Sequence, residues 1–310
     1  MKAVRYHSYG DSDVVAYEEA GRPAAGPGQV VVRVAGAAFN PVDAAIRAGF
    51  MRQAFPVTFP YIPNFDVSGV VAETGEGVTG WREGDAVVAF LPMNTGGAAA
   101  EFAVAPAEVL AAAPRTVELA DAAALPSSGL TAWQALFEHA DVQAGQSVLV
   151  NGAGGAVGGY AVQLAKQAGA TVTATAGPAS TGRVRSHGAD RVVDYTATPL
   201  LEAVAGQRFD VVLNLARTSP EETAALTELT ADGGAFVSTT GPAPDPGRGV
   251  RVAQMYVRSD AAQLGELVAR VDAGDLAIDV AQRRPLADLA AVHDQSAAGR
   301  LPGGKTILIP

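Results

Sequence analysis

Apolar residues follow two different rhythms along this chain. Through about residue 119 they come in short strand-like runs separated by Gly/Pro punctuation. Met1 to Tyr6, Gln29 to Ala35 (valines on alternating positions), Val67 to Ala72, Asp85 to Phe90 and Ala98 to Val104 read as strands. Gly26-Pro27-Gly28, Gly75-Glu76-Gly77 and Arg82-Glu83-Gly84-Asp85 read as turns. Many short strands of this kind predict a compact barrel-like domain. Within it, Asn40-Pro41-Val42-Asp43 has the form of a helix start, with Pro near the first helical position and Asp in the first turn. Phe50 to Pro63 is irregular and aromatic, and reads either as the lining of a ligand pocket or as a loop tucked over the core.

From Leu119 the rhythm changes. Ala120 to Leu125 and Leu130 to His139 read as helices, and strands and helices then alternate. The strands are Val148 to Asn151, Thr171 to Thr175, Arg191 to Asp194, Asp210 to Leu213 and Ala235 to Ser238. The helices are Val157 to Ala168, Thr181 to His187, Thr198 to Ala205 and Pro220 to Leu229. Alternation predicts a doubly wound parallel sheet, for which Arg251 to Val257 supplies a last strand. The tail returns to mixed structure: helices Ala261 to Val271 and Leu286 to Ala297, then a strand Thr306 to Ile309. This order predicts an α/β chain in which residues 1–119 and 258–310 form the β-rich domain and residues 120–257 are inserted into it.

The most informative stretch runs from Val148 to Gly158. An apolar strand enters a glycine-dense turn, Gly152-Ala153-Gly154-Gly155-Ala156-Val157-Gly158, and leaves as a helix. Strand, turn and helix in this order open a dinucleotide-binding βαβ unit. Gly155 lets backbone amides approach a pyrophosphate, Gly158 lets helix and strand pack closely, and the helix N-terminus faces the phosphates. The pattern is A-x-G-x-x-G, which alone also fits an ordinary tight βα turn; its place between strand and helix favours the nucleotide site.

Composition narrows the function. The net charge is −10 with no basic run, which argues against nucleic acid and anionic membranes. There is no cysteine, which removes disulfides, thiolate catalysis and cysteine-ligated zinc. His7, His139, His187 and His293 have no metal-ligand spacing. Met1-Lys2-Ala3-Val4 enters strand-like sequence without an apolar leader, and no apolar run approaches the ~20 residues of a membrane span, so a soluble cytoplasmic protein is expected.

Beyond these features the chain resembles a family. The matching runs are Ala38-Phe39-Asn40-Pro41-Val42-Asp43 with Ile46-Arg47-Ala48-Gly49, Asp66-Val67-Ser68-Gly69-Val70-Val71, Gly84-Asp85-Ala86-Val87, Leu125-Pro126 with Gly129-Leu130-Thr131-Ala132, the glycine turn with Gln163-Leu164-Ala165-Lys166, Gly188-Ala189-Asp190, and Gly304-Lys305. They are similar to those of the medium-chain dehydrogenase/reductase superfamily, in its zinc-independent quinone oxidoreductase-like branch. The resemblance implies a GroES-like catalytic domain and a Rossmann cofactor domain. Zinc-dependent members carry Cys at the position of Asn40 and His at that of Phe65; neither residue here holds zinc. Without a Lewis acid, the implied hydride acceptor is already electron-poor: a quinone, or a C=C conjugated to a carbonyl.

The resemblance also implies roles. Asn40 donates its amide to an acceptor carbonyl, or simply caps its helix; Asp43 fixes Arg47 or the cofactor ribose, or serves as a first-turn dipole partner. Relatives place a Tyr at Ala45, so the proton donor is open, with solvent, Tyr61 and Tyr256 as candidates. Thr131, the turn from Gly152 to Gly158, Asn214, Thr239, Thr240, Gly241 and Lys305 are expected around the cofactor, and Tyr195 beside its adenosine end. Phe39, Arg47, Phe50, Tyr61, Phe65, Met93 and Tyr256 are expected around the substrate. After Thr175 no carboxylate awaits the ribose hydroxyls, which favours NADPH over NADH, with Ser180, Arg183 and Arg185 as the phosphate partners at hand. Two further readings stand beside this one: a reductase dedicated to one pathway intermediate, and a dinucleotide-binding redox sensor without turnover. Val250 to Val257 reads as an edge strand through which the cofactor domains of a homodimer would pair.

Overall fold

A run of buried valines dictates the first half of the fold. Val30, Val31 and Val32 are each fully buried because their strand is sandwiched within a sheet rather than lying at its rim. The computed structural model describes residues 1–93 and 96–310, and it divides into two units, Met1–Ser127 with Ser259–Pro310, and Ser128–Arg258. In the first unit β1 (Lys2–Arg5) pairs antiparallel with β2 (Ala16–Glu19). β3 (Gln29–Ala38) is the hub of a seven-stranded sheet and is followed by α1 (Pro41–Arg47). β4 (Asp66–Thr74), β5 (Ala86–Phe90), β6 (Phe102–Pro106) and β7 (Leu110–Ala112) complete its N-terminal part. Gly36 is required in β3, since a Cβ there would lie 2.4 Å from the carbonyl oxygen of Ala120.

α2 (Pro126–Trp133) spans the boundary into the second unit and widens into a π-helical turn over Gln134–His139. Then follow β8 (Ser147–Asn151), α3 (Ala156–Gln167), β9 (Thr171–Ala176), α4 (Pro178–Ser186), β10 (Arg191–Asp194), α5 (Leu200–Ala203), β11 (Phe209–Asn214), α6 (Pro220–Thr227), β12 (Thr230–Ser238) and β13 (Arg251–Gln254). The strands form one parallel sheet in the order β10-β9-β8-β11-β12-β13, as the alternating pattern predicts. Leu149, Val212 and Phe236, from β8, β11 and β12, share one buried cluster on its face. The strand order reverses between β8 and β11, and ligands of such sheets bind at the carboxyl ends of the strands beside that point.

The chain then returns to the first unit with α7 (Ala261–Asp272), β14 (Val280–Pro285), α8 (Leu289–Ala297) and β15 (Lys305–Ile309). β15 pairs antiparallel with β3, and so carries Lys305 into the neighbourhood of α1. Three strands escape the sequence pattern: β2, β7 and β14. β2 and β14 carry charged residues (Glu18, Glu19; Arg283, Arg284) because each has a solvent-facing side, and β7 is only 3 residues long. The strand expected from Ala98 starts at Phe102, and the helix expected over 198–205 shrinks to the single turn of α5. Among the described residues no helix is long and apolar enough to cross a membrane.

Candidate active site

The first unit holds a buried network of charged and polar groups at the head of α1. Pro41 occupies the first turn and Asn40 is its N-cap, extended at φ −125° and ψ 146°. The Asn40 backbone N–H donates to Asp43 Oδ2 at 2.7 Å, which turns the first-turn carboxylate back onto the cap. The Asn40 side chain points elsewhere. Its Nδ2 donates to Asp66 Oδ2 at 2.9 Å, and its Oδ1 accepts from Ser127 Oγ at 3.2 Å and from Lys305 Nζ. Asp66, fully buried, is the acceptor at the centre. It receives Lys305 Nζ at 3.0 Å, Ser127 Oγ at 2.6 Å and the Ser127 backbone N–H at 2.7 Å. Lys305 is 3% exposed, so the pair is enclosed. Enclosure is tolerable because every oxygen of Asp66 has charged or polar donors.

Asp43 is buried beside this network and accepts the Asn64 backbone N–H at 3.3 Å and Asn64 Nδ2 at 3.0 Å. Burial pushes its carboxyl up to about 7, with the neighbouring Asp66 pushing the same way and the Lys305 charge opposing. Asp43 makes no ion pair with Arg47, whose Nε and Nη1 are buried without partners, so the expected Asp43–Arg47 contact is corrected: Asn40 and Asn64 take the carboxylate instead.

The residues expected around the substrate, Tyr256 apart, fall in this unit and scatter within it. Phe39 and Phe65 are core side chains, at 3% and 0% exposure; Phe39 packs with Leu289, Val292 and Leu308. Phe50, in contrast, is 87% exposed beyond α1. Tyr61 is buried with its hydroxyl donating to the Met93 carbonyl at 2.9 Å, and burial raises its hydroxyl pKa. The aromatic stretch from Phe50 is thus partly a loop tucked over the core, where the Tyr6 and Tyr61 rings meet tilted, with centroids 5.4 Å apart.

In the second unit the glycine turn caps β8. α3 starts at Ala156 with Gly155 as its extended N-cap, and its first N–H groups have no intrahelical partner. A Cβ on Gly158 would lie 2.4 Å from Gly152 O and 2.5 Å from Ala153 Cα, so only glycine lets the helix sit on the turn. A Cβ on Gly155 would meet only Gly152 O, at 3.5 Å, leaving the outer side of the turn open for a pyrophosphate. The Gly152 backbone N–H donates to Thr175 Oγ1 at 2.8 Å, which donates to Asn151 Oδ1 at 3.0 Å. Asn151 Nδ2 continues to Asn214 Oδ1 at 3.0 Å, and Asn214 Nδ2 to Thr218 Oγ1 at 3.0 Å. This chain runs across the carboxyl ends of β9, β8 and β11, the edge that binds ligands in such sheets.

Asn214 therefore lies at the expected edge, but its side chain is fully buried in that chain. Thr239 receives its neighbour's support through its backbone N–H to Asn214 O, and the Thr240 and Gly241 N–H groups turn onto Ser238 Oγ. Ser180 sits over Gly154, and Arg183 Nη2 donates to Gly154 O at 2.6 Å, which fastens α4 to the glycine turn. Arg185 is exposed. Tyr195 is 58% exposed with its hydroxyl near Gly177; Thr131 is buried in α2; Tyr256 is 70% exposed and bonded to Gln254.

Sequence reasoning missed Asp66, Ser127, Asn64, Asn151 and Thr175. One signal was present: Asp66 interrupts the apolar run Phe65–Val67, and a carboxylate at a buried strand position needs a cation. The Lys305 ammonium bonds Asp66 at 3.0 Å, a contact that its sequence neighbours do not announce.

Comparison with known proteins gives this geometry a family. A model described as an alcohol dehydrogenase GroES-like domain matches residues 26–115, and one described as a zinc-binding dehydrogenase matches residues 187–308. The chloroplast envelope quinone oxidoreductase homolog of Arabidopsis thaliana is 41% identical over 229 residues, 71% of this chain and 69% of that one. The chloroplastic NADPH-dependent alkenal/one oxidoreductase of the same plant is 36% identical, covering 80% of this chain and 64% of its own length. The crystal structure of an NAD-dependent alcohol dehydrogenase superposes with a TM-score of 0.89 at 30% identity over 100% of both chains. The chain belongs to the medium-chain dehydrogenase/reductase superfamily, in its quinone oxidoreductase-like branch. The β-rich unit is accordingly a GroES-like domain and the parallel-sheet unit a Rossmann-like one, in an oxidoreductase family that uses a nicotinamide cofactor.

Proposed function

We propose that this protein is an NADPH-dependent, zinc-independent oxidoreductase that reduces quinones or α,β-unsaturated carbonyls. The observation that carries the reading is the setting of Asn40. Lys305 and Ser127 both bond its Oδ1, while one Nδ2 hydrogen is held by Asp66. An ammonium on the amide oxygen draws electron density from the nitrogen and strengthens the second N–H as a donor. Such a donor suits the oxygen of an acceptor that gains negative charge as hydride arrives at a conjugated carbon.

The donor set does not fit zinc. At the family's ligand positions, Asn40 offers an amide oxygen already covered by a lysine ammonium, and Phe65 offers a fully buried hydrocarbon. Among the described residues no three His, Cys, Asp or Glu side chains cluster to hold a metal.

The open glycine turn and the N-terminus of α3 suit the pyrophosphate, and the absence of a carboxylate after β9 suits a 2′-phosphate beside Ser180 at the start of α4. Bound there, a reduced nicotinamide supplies the hydride. Asn40 orients and polarises the acceptor, Asp66 and Lys305 hold Asn40 in place, and solvent returns the proton, since Tyr61 is committed to Met93 O. The similarity to an alkenal/one oxidoreductase keeps the enone class beside the quinones. β13 forms the rim of the parallel sheet, and we read it as the pairing edge of a homodimer.

The test is NADPH oxidation with 1,4-benzoquinone, 9,10-phenanthrenequinone and an alkenal, before and after treatment with a chelator. The expected result is turnover of at least one acceptor, indifferent to the chelator, with Asn40→Leu lowering kcat more than it raises the KM for NADPH. Absence of dinucleotide binding, or turnover that needs added zinc, would overturn the reading.

A further inference from the structure

Six buried side-chain atoms on four residues of the GroES-like unit have no hydrogen-bond partner: Tyr6 Oη, Arg47 Nε and Nη1, Asn64 Oδ1, and both ring nitrogens of His293. Tyr6, Asn64 and His293 are 0% exposed and Arg47 is 6% exposed. They are neighbours. The Arg47 charge acts on both Tyr6 and His293, and Asp43, hydrogen-bonded to Asn64, acts on Tyr6. His293, from α8, stands edge-on to Phe39 at 5.0 Å, just before α1. Leaving so many buried polar atoms unsatisfied carries a penalty comparable to the entire stability of a domain, so these groups call for a hydrogen-bonding partner.

The inventory of free groups indicates what that is. Arg47 Nε–H and Nη1–H, the Tyr6 O–H and one N–H of a neutral His293 are all donors; the obligate acceptors are Asn64 Oδ1 and the second His293 nitrogen. Donors are in excess, and the guanidinium is a buried charge without a counter-ion. Among the described residues no carboxylate pairs with it, because Asp43 is taken by Asn40 and Asn64. Buried charges are ordinarily neutralised by a partner. We propose that this cluster of buried donors binds a small inorganic monoanion of chloride size, held by Arg47 and by donors from Tyr6 and His293. The proposal rests on Arg47, Tyr6 and His293 and not on the Asn40 side chain, and does not depend on the proposed reaction.

The groups facing Arg47 set the pH dependence. Asp43, Tyr61 and Tyr9 act together with Arg47 on Tyr6, and Asp294 acts together with Arg47 on His293. Burial pushes the His293 imidazole down to about 3, so it stays neutral across the working range, while Asp43 gains its charge through neutrality. A negative charge on Asp43, which acts on Tyr6, competes with the anion, so binding weakens as pH rises.

Two measurements test this. Protein freed of halide is unfolded thermally in sodium chloride and in sodium gluconate at equal ionic strength, near pH 6 and near pH 8, and crystals grown in sodium bromide are examined by anomalous diffraction. The expected result is a bromide peak in contact with Arg47, and a saturable rise in Tm of about 2–4 °C in chloride, larger at the lower pH. Tyr6→Phe weakens the chloride response several-fold and Arg47→Gln abolishes it; if Arg47→Gln does not fold, Tyr6→Phe and the bromide map still decide. Ordered water alone among these groups, or bromide in the crystal with identical Tm in both salts (binding at crystal concentration only), would overturn the proposal.

Discussion

Each unit places a buried hydrogen-bonded network beside its proposed binding residues, and the two networks are built from opposite materials. The GroES-like unit uses charges: Lys305 and Asp66, with Asn40 and Ser127 bridging them. The Rossmann-like unit uses only neutral groups, Thr175, Asn151, Asn214 and Thr218, strung across the strand ends. A neutral chain fixes backbone geometry with little electrostatic consequence, which suits a turn that must keep its shape around a ligand. A buried ion pair is a poor source of stability compared with hydrocarbon. Its presence at the head of α1 is therefore better explained by what it does to Asn40 than by what it adds to the fold.

The contrast is broken or sharpened most strongly at Lys305. Lys305→Met leaves Asp66 charged, buried and without a cation, and should destabilise the protein by ~3–5 kcal/mol in urea denaturation. Adding Asp66→Asn should recover much of that loss, because the orphaned charge is gone while the Ser127 donors keep an acceptor. The double variant should nonetheless remain slow with quinone. A double variant as active as the parent would show that the pair is structural only.

Asp43 gives the next largest effect, and one that depends on pH. Its folded carboxyl is raised to about 7, above the unfolded value, so between about pH 4 and pH 7 the native state holds a proton that the unfolded state has released. The stability this contributes is full below the unfolded pKa and is lost as pH rises through the folded one. Asp43→Asn should therefore flatten the fall of stability across that window, read as urea midpoints at a series of pH values. A slope unchanged from the parent would place the titration elsewhere.

Gly158→Ala tests the neutral side. The new Cβ meets backbone atoms of Gly152 and Ala153, which cannot give way as a flexible side chain would. Overpacking of this kind costs ~1–3 kcal/mol. It should also weaken NADPH binding, measured by fluorescence titration, because α3 must lift off the turn that it caps.

Much of this arrangement was legible in the sequence, and the exceptions share a cause. The strand-turn-helix from Val148 to Ala168 and the start of α1 at Pro41 are local: glycine geometry, capping chemistry and apolar period all lie within a few residues. The pairing of Lys305 with Asp66 joins residues 239 apart, and nothing local in Gly304-Lys305 says that the ammonium turns inward. Phe39, Phe50 and Phe65 are alike in sequence, yet two lie in the core and one in solvent, because aromatic character marks apolar surface without saying what covers it. Asn151 and Thr175 were read simply as strand ends, since a buried amide or hydroxyl reveals its importance only through partners on neighbouring strands.

Thr175 carries the smallest effect and the sharpest distinction between the two networks. Its Oγ1 is the single link between the Gly152 N–H and Asn151 Oδ1. Thr175→Val keeps the shape of the side chain but removes both bonds, leaving a donor and an acceptor unsatisfied at the base of the glycine turn. The expected loss is about 1–2 kcal/mol, accompanied by weaker NADPH binding, while Thr175→Ser, which keeps the hydroxyl, should restore most of both. Because no member of this chain titrates near neutrality, the loss should be the same at pH 6 and pH 8 and insensitive to salt, unlike that of Asp43→Asn. If the Thr175→Val deficit varied with pH instead, the neutral chain would have to be coupled to an ionising group, and the division of labour between a charged network that acts on the acceptor and a neutral one that shapes the cofactor seat would fail.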